Sequence, residues 1–322
     1  MTVKLSCAPM EGLTTSVYRA VLMRHFPGEI RFYSPFISPT SSGELNSHEL
    51  RDVQPEKNEG ITLIPQILTN HAEPFLFTAD KLAQLGYREL NLNVGCPSGT
   101  VVSRGRGAGF LAHPEELDAF LRQIFSSSPL PISIKTRIGM SDPKEFPRLL
   151  SIYNQYNVRE LIVHPRVRTD FYRGAIHPES MAYAVDNSAL PLCYNGDIFT
   201  KQDFDALREK YPSLNSFMLA RGQIANPALL RELSGGAPIT KEELYAFQQD
   251  LFESYLALGW SEKSVLARMK EYWQYMSSLL QNQHKSFKRI AKSQDLTQYR
   301  ANVDFVFAVD ELVPGGGFIN TF

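Results

Sequence analysis

The feature that most constrains the fold is an alternation of short β-type runs and longer helical patterns through the first two thirds of the chain. Strand-like runs fall at 4–10, 31–38, 61–68, 89–95, 131–139, 160–166, 190–198 and 216–222. Amphipathic segments at 16–25, 73–85, 114–125, 144–156 and 201–211 lie between them. Pro114, followed by Glu115 and Glu116, suits the first turn of a helix, where a missing N–H costs nothing and negative charge is favoured. Eight strand–helix units imply a parallel sheet, because each parallel pair needs a crossover. An open doubly wound α/β sheet would also satisfy the pattern, but eight units in about 235 residues is the usual size of a closed (β/α)8 TIM barrel.

Near residue 235 the pattern changes. Ser234-Gly235-Gly236-Ala237-Pro238 reads as a linker of turn-forming residues. Thr240-Lys241-Glu242-Glu243 then opens a helix with a capping-box-like start. Long helical patterns follow, with aromatics at Phe247, Phe252, Tyr255, Trp260, Tyr272, Trp273 and Tyr275 that read first as helix-bundle core. The expected division is a catalytic barrel at 1–235 and a small all-helical domain at 236–322.

With 322 residues and 43% hydrophobic content, the chain can bury a large core. A net charge of −1 gives no global argument for a nucleic-acid or membrane partner, although a local basic face is compatible with it. Three cysteines, Cys7, Cys96 and Cys193, are too few for a disulfide scaffold and fit a reducing compartment. No apolar stretch approaches the roughly 18 residues of a membrane span. The expectation is a soluble cytoplasmic monomer with no membrane partner and no metal.

In a barrel of this kind the active site forms at the C-terminal ends of the strands. Those ends carry Pro9-Met10-Glu11, Gln66, Asn93 and Cys96, Lys135 and Arg137, His164 and Arg166, Asn195-Gly196-Asp197, and Ala220-Arg221-Gly222. Two acidic candidates, Glu11 and Asp197, give weak support for a glycosidase. One histidine and one cysteine do not make a zinc set. A Schiff base on Lys135 stays open. The remaining amides, lysine, imidazole and glycine turns suit a flat, phosphate-bearing cofactor. Alternation in 132–137 puts Ser133, Lys135 and Arg137 on one face, and a lysine pointing into a barrel is costly unless it meets an anion or a dipole. A reduced flavin offers such an anionic edge; the plainer reading is a lysine snorkelling to the mouth. The triplets after the seventh and eighth strands sit where barrels commonly hold a phosphate. Cys7 and Cys193 lie inside apolar strands and read as small hydrophobes. Cys96 instead stands past a strand end between Gly95 and Pro97, and a thiol with a pKa of roughly 8.5 is mostly protonated at neutral pH. It can donate a proton as readily as it can act as a nucleophile.

Ala8-Pro9-Met10-Glu11-Gly12, Asn93-Val94-Gly95-Cys96-Pro97, Lys135-Thr136-Arg137, His164-Pro165-Arg166, Tyr172-Arg173-Gly174 and Asn195-Gly196-Asp197 together resemble the tRNA-dihydrouridine synthases, over nearly the whole chain. The resemblance implies an FMN-binding barrel followed by a helical tRNA-binding domain. It implies that NADPH reduces FMN, that hydride passes from N5 to C6 of a tRNA uracil, and that Cys96 protonates C5. By the same likeness, Pro9, Met10, Glu11 and Gln66 lie along the flavin, Lys135 neutralises its pyrimidine edge and His164 lies beside the ring. Asn195, Gly196, Asp197, Ala220, Arg221 and Gly222 hold its phosphate end. Asn93 touches cofactor or base, and Arg137 and Arg166 face the substrate.

The chain departs from the family pattern at Ser98-Gly99-Thr100, where one or two lysines are common, and at Ser34-Pro35, Pro165 and Asp170. Arg104 and Arg106 stand in a stretch that is usually small and glycine-rich, and are expected to receive tRNA phosphates at the mouth. The run 284–292, with Lys285, Lys288 and Arg289, is expected to be a helix face gripping the RNA backbone. An ordinary solvated loop and an ordinary solvated helix face are the plainer readings of these two stretches. A dihydroorotate-dehydrogenase-like enzyme of a free pyrimidine, and a catalytically silent RNA-binding flavoprotein, are the competing functions.

Overall fold

The structure, a computed structural model, describes residues 3–40 and 45–319. Its strands are β1 (Lys4–Cys7), β2 (Arg31–Tyr33), β3 (Thr62–Ile64), β4 (Gln66–Ile67), β5 (Leu90–Val94), β6 (Ile132–Arg137), β7 (Leu161–His164), β8 (Leu192–Tyr194) and β9 (Ser216–Leu219). All pair in parallel, in the order β3-β2-β1-β9-β8-β7-β6-β5-β4. The two ends of that order, β3 and β4, are separated in sequence only by Pro65. They are one strand whose ladder changes partner, from β2 to β5, at a residue that has no N–H to donate. The next amide, that of Gln66, donates to the Ser34 hydroxyl at 3.0 Å. The sheet therefore closes on itself, and the expected (β/α)8 barrel is the fold.

The crossovers carry α1 (Ser16–His25), α2 (Ser47–Asp52), α3 (Ala72–Gln84), α4 (Gly99–Val102), α5 (Pro114–Ser127), α6 (Phe146–Tyr153), α7 (Pro178–Asn187) and α8 (Lys201–Lys210). Two short helices, α9 (Arg221–Ala225) and α10 (Leu229–Leu233), follow the last strand. Helix α5 shows why these segments pack as they do. Leu117, Phe120, Leu121 and Ile124 recur at helical spacing and all are buried against the sheet, while both glutamates of its first turn stay in solvent.

Four helices complete the chain: α11 (Lys241–Leu256), α12 (Glu262–Met276), α13 (Gln283–Ala291) and α14 (Leu296–Val309). The capping box forms, with Thr240 Oγ1 accepting from the Glu243 amide at 3.2 Å and the Glu243 carboxylate accepting from the Thr240 amide at 3.0 Å. The helices dock on α1. The Tyr18 ring stacks on Tyr272 at 5.7 Å and meets Phe247 edge-on at 6.0 Å, and Tyr272 Oη donates to the Leu13 carbonyl. One apolar cluster runs without a break from Leu5 in the barrel to Phe307 in α14. Most of the aromatics expected in the bundle core are buried, but Trp260 and Tyr275 are only half-buried.

Beyond α14 the chain pairs back on 279–281: Gln281 N donates to Glu311 O at 2.9 Å and Val313 N to Leu279 O at 2.8 Å. It then crosses to the barrel at Phe199. No helix among the described residues is long and apolar enough to cross a membrane.

Candidate active site

The C-terminal ends of the strands open onto one cavity of about 390 Å³. After β1 it is lined by Pro9, Met10 and Glu11; from β4 and β5 come Gln66, Asn93 and Cys96; from β6 and β7, Lys135, Arg137 and His164; after β8 and β9, Asn195, Gly196, Asp197, Ala220 and Arg221. Gly222 lies one residue behind, in α9, so tightly against the Ile198 carbonyl that an added Cβ would sit 2.2 Å from it. Arg166 lies outside the cavity lining but is bound to it through His164 and Asp197.

Cys96 is held by a chain of amides. Asn93 Oδ1 accepts from the amides of Gly95 and Cys96, both at 3.0 Å, which turns the backbone as it leaves β5. Asn93 Nδ2 donates to Gln66 Oε1 at 2.8 Å, Gln66 Nε2 to Asn91 Oδ1 at 2.7 Å, and Asn91 Nδ2 to Ser133 Oγ at 3.0 Å. Asn93 therefore positions the cysteine. The glycine-rich stretch lies against the same turn: Ala108 N donates to Cys96 O at 3.0 Å, and Gly107, at φ +55°, leaves no room for a Cβ, which would fall 2.8 Å from that oxygen. Burial pushes the Cys96 thiol up from its ordinary pKa; the Ser98 amide, Lys135 and Arg137 pull the other way without reversing it. The thiol is protonated at neutral pH. Cys7 and Cys193 are fully buried, as expected of packing residues.

Lys135 faces the cavity, while Thr136, one residue on, turns outward to Tyr153 of α6 at 3.0 Å. Among the described residues Lys135 Nζ has no hydrogen-bond acceptor. Burial, then the neighbouring Arg137 charge, lowers its pKa to about 8. Burial likewise holds His164 well below the usual histidine range, with Arg137, Lys135, Arg166 and Arg221 adding to the effect. Arg166 Nη1 lies 3.1 Å from His164 Nε2, and a guanidinium can only donate. The ring is thus neutral, with its proton on Nδ1.

Arg137 and Arg166, expected to face the substrate, are both held by protein partners. Arg137 is 1% exposed and donates to the carbonyls of Gly95 (3.0 Å), Val167 (2.8 Å) and Phe171 (2.6 Å). Arg166 donates to the Gly174 carbonyl at 2.7 Å and, through both terminal nitrogens, to the Asp197 carboxylate. Asp197 also receives Arg221 Nη2 at 2.5 Å, so its charge anchors two arginines.

Arg104 and Arg106 are not part of the cavity wall. Arg104 is exposed on the loop after α4, and Arg106 Nη1 reaches Ser38 Oγ at 3.3 Å. Lys285, Lys288 and Arg289, on α13, line a separate groove of about 700 Å³ with Lys292 and the exposed Phe305 and Val309; the Arg289 guanidinium stands 3.8 Å over the Phe305 ring.

Several wall residues are not evident from the sequence. Tyr172 stands out there only as part of a motif, yet it stacks on His164 at 6.4 Å and covers Arg137 at 5.3 Å. Glu271, Gln274 and Tyr275 reach the cavity from one face of α12, and Phe199 and Phe318 close its far end. The spacing of 271, 274 and 275 is a signal, but the same spacing also describes bundle core.

The model of the dihydrouridine synthase (Dus) family matches residues 6–309. The chain belongs to the dihydrouridine synthase family. As a Dus protein it is a flavin-dependent oxidoreductase of tRNA. It is 26% identical over 310 residues to the tRNA-dihydrouridine(16) synthase of Neisseria meningitidis serogroup B, covering 92% of both chains. It is 27% identical over 286 residues to the tRNA-dihydrouridine(16) synthase of Pseudomonas putida, covering 86% of this chain and 83% of that one. Among solved structures, morphinone reductase in complex with tetrahydroNAD superposes with a TM-score of 0.50 at 11% identity, over 73% of this chain and 88% of that one, a likeness of fold. The donor set of this Dus chain fits a flavin: a half-buried lysine facing the cavity suits an anionic ring edge, and an arginine with two glycine turns suits a phosphate.

Proposed function

We propose that the chain reduces uridine 16 of tRNA to 5,6-dihydrouridine, with FMN as the flavin, NADPH as its reductant and Cys96 as the proton donor. The observation that carries this reading is the meeting, in one cavity, of a protonated thiol and a half-buried lysine whose ammonium faces the cavity. Position 16 follows the names of the two relatives above, each matched over more than four fifths of both chains.

Lys135 would hold the pyrimidine edge of the flavin, with Gln66 and His164 beside the ring and Pro9 and Met10 against it. Asn195, Gly196, Ala220, Arg221 and Gly222 would hold its phosphate. A flavin held there would supply hydride, drawn from NADPH, for C6 of the uracil. Cys96 Sγ delivers its proton to C5, and the thiolate left behind recovers a proton from water. Lys135 and Arg137 favour that thiolate while it lasts, since a nearby positive charge stabilises the charged form. The uracil must leave its stack to reach the cavity, at a cost of roughly a few kcal/mol that is least in a loop. Arg104, Arg106 and the α13 groove are the surfaces that would receive RNA phosphates, with the helices of 236–322 as the tRNA-binding part.

The test is a position-by-position map of dihydrouridine in tRNA from cells lacking the protein. Wild type should restore position 16, and Cys96→Ala should act more slowly by roughly 10²- to 10⁴-fold, the usual contribution of a positioned general acid, with tRNA affinity unchanged. An unchanged map in a strain with no other synthase would sink the assignment.

A further inference from the structure

We infer that the segment after α14, ending at Phe318, is a clasp that seals the phosphate end of the cavity and fixes Arg221 for its anion. The inference rests on the flavin reading above. The segment lies beyond the family match, which ends at residue 309.

Phe318 is 7% exposed and stands in the cavity wall. Its ring meets Phe199 edge-on at 5.2 Å and stacks on Tyr275 of α12 at 5.4 Å, so it joins the barrel to the helical segment. The Arg221 guanidinium lies 5.2 Å from the Phe318 ring, 5.2 Å from Phe199 and 5.7 Å from Tyr172. Those three rings, with Asp197 and the Tyr172 carbonyl as hydrogen-bond acceptors, give Arg221 one position. Gly317 permits the approach: an added Cβ would sit 2.3 Å from the Phe199 carbonyl. The strand-like pairing at 279–281 and 311–313, together with the Ile319 amide on Ser278 Oγ at 3.3 Å, holds the far side of the clasp.

A mostly buried, ring-lined arginine attracts an anion more strongly than one in solvent, because the local dielectric is lower. Phe318 is therefore a positioning residue that acts through Arg221. Its loss opens that end to water and frees the guanidinium.

The experiment measures FMN binding to apoprotein by quenching of flavin fluorescence, and release from holoprotein by stopped flow, for wild type, Phe318→Ala, Phe318→Leu, Arg221→Gln and the double variant Phe318→Ala/Arg221→Gln. Phe318→Ala should weaken FMN binding about tenfold through faster release, Phe318→Leu should recover most of it, and the double variant should bind little worse than Arg221→Gln alone, the signature of one residue acting through another. Riboflavin, which lacks the phosphate, should bind wild type and Phe318→Ala alike. A fall in apoprotein melting temperature with FMN affinity unchanged would show a purely structural tail and overturn the clasp. Additive losses in the double variant would overturn the route through Arg221. Wild-type apoprotein that takes up no FMN would instead overturn the flavin reading, and the clasp with it.

Discussion

Lys135 gives the site its pH dependence. Its pKa is lowered from the ordinary 10.5 to about 8, so the cost of burying its charge is present in full below pH 8. That cost is relieved as pH rises from 8 towards 10.5, because the unfolded chain binds the extra proton there and the folded one does not. An anionic ring edge reverses the shift by favouring the charged lysine. Binding of FMN near pH 8 should therefore take up a proton, measurable as a dependence of calorimetric enthalpy on the ionisation enthalpy of the buffer; Lys135→Met should abolish the uptake. No uptake in the wild type would separate Lys135 from the anionic edge. At this scale the sequence is informative where chemistry and position coincide. A cysteine and a lysine at strand ends of a barrel have few competing explanations. The contacts of Arg137, Arg166 and Asp197 are hidden because they include partners 24 to 42 positions away, and residue type alone does not distinguish an arginine that meets a substrate from one that staples a loop.

Among the elements, α13 offers the clearest surface to test. Reversing Lys288 and Arg289 should weaken tRNA binding and lower the slope of log affinity against log salt by roughly 0.7 to 0.9 for each phosphate that is no longer neutralised; an unchanged slope would remove the groove from the RNA interface. A second element prediction concerns stability. Arg19 of α1 has a fully buried side chain paired with Asp52 of α2 at 3.1 Å, and also donates to Asn58 and the Thr14 carbonyl. Asp52→Ala leaves that cation without its carboxylate and should cost about 3 kcal/mol in urea unfolding, the low end for a broken buried pair, since the other acceptors remain. Strand and helix types are legible from periodicity, but the strand runs read from sequence extend past the paired segments. The run from 4 to 10 is a strand only as far as Cys7: the Ala8 amide still donates to the Leu219 carbonyl at 2.7 Å, and Pro9 and Met10 then line the site. Helix α12 is legible as a helix and not as a cavity wall: its stripe of Glu271, Gln274 and Tyr275 differs from core only in where the barrel happens to end.

For the molecule as a whole, the unbroken apolar cluster argues against a barrel that stands alone. Truncation after residue 236 would uncover Tyr18 and its neighbours on α1, which α11 and α12 cover. The shortened chain should be aggregated or poorly folded by size-exclusion chromatography and circular dichroism, and a soluble, cooperatively melting barrel would contradict this. The closed barrel is foreseeable from eight repeated units, but the way the helices join it is not, since the joints run between residues such as Leu13 and Tyr272 whose separation leaves no local pattern. The clasp adds a consequence in time. A chain emerging from the ribosome folds from its N-terminal end, yet the cavity has Pro9 on one wall and Phe318 on another. The pocket is completed only when nearly all of the described chain has emerged, so a cofactor held by the clasp would be captured late and could not template the early folding of the barrel.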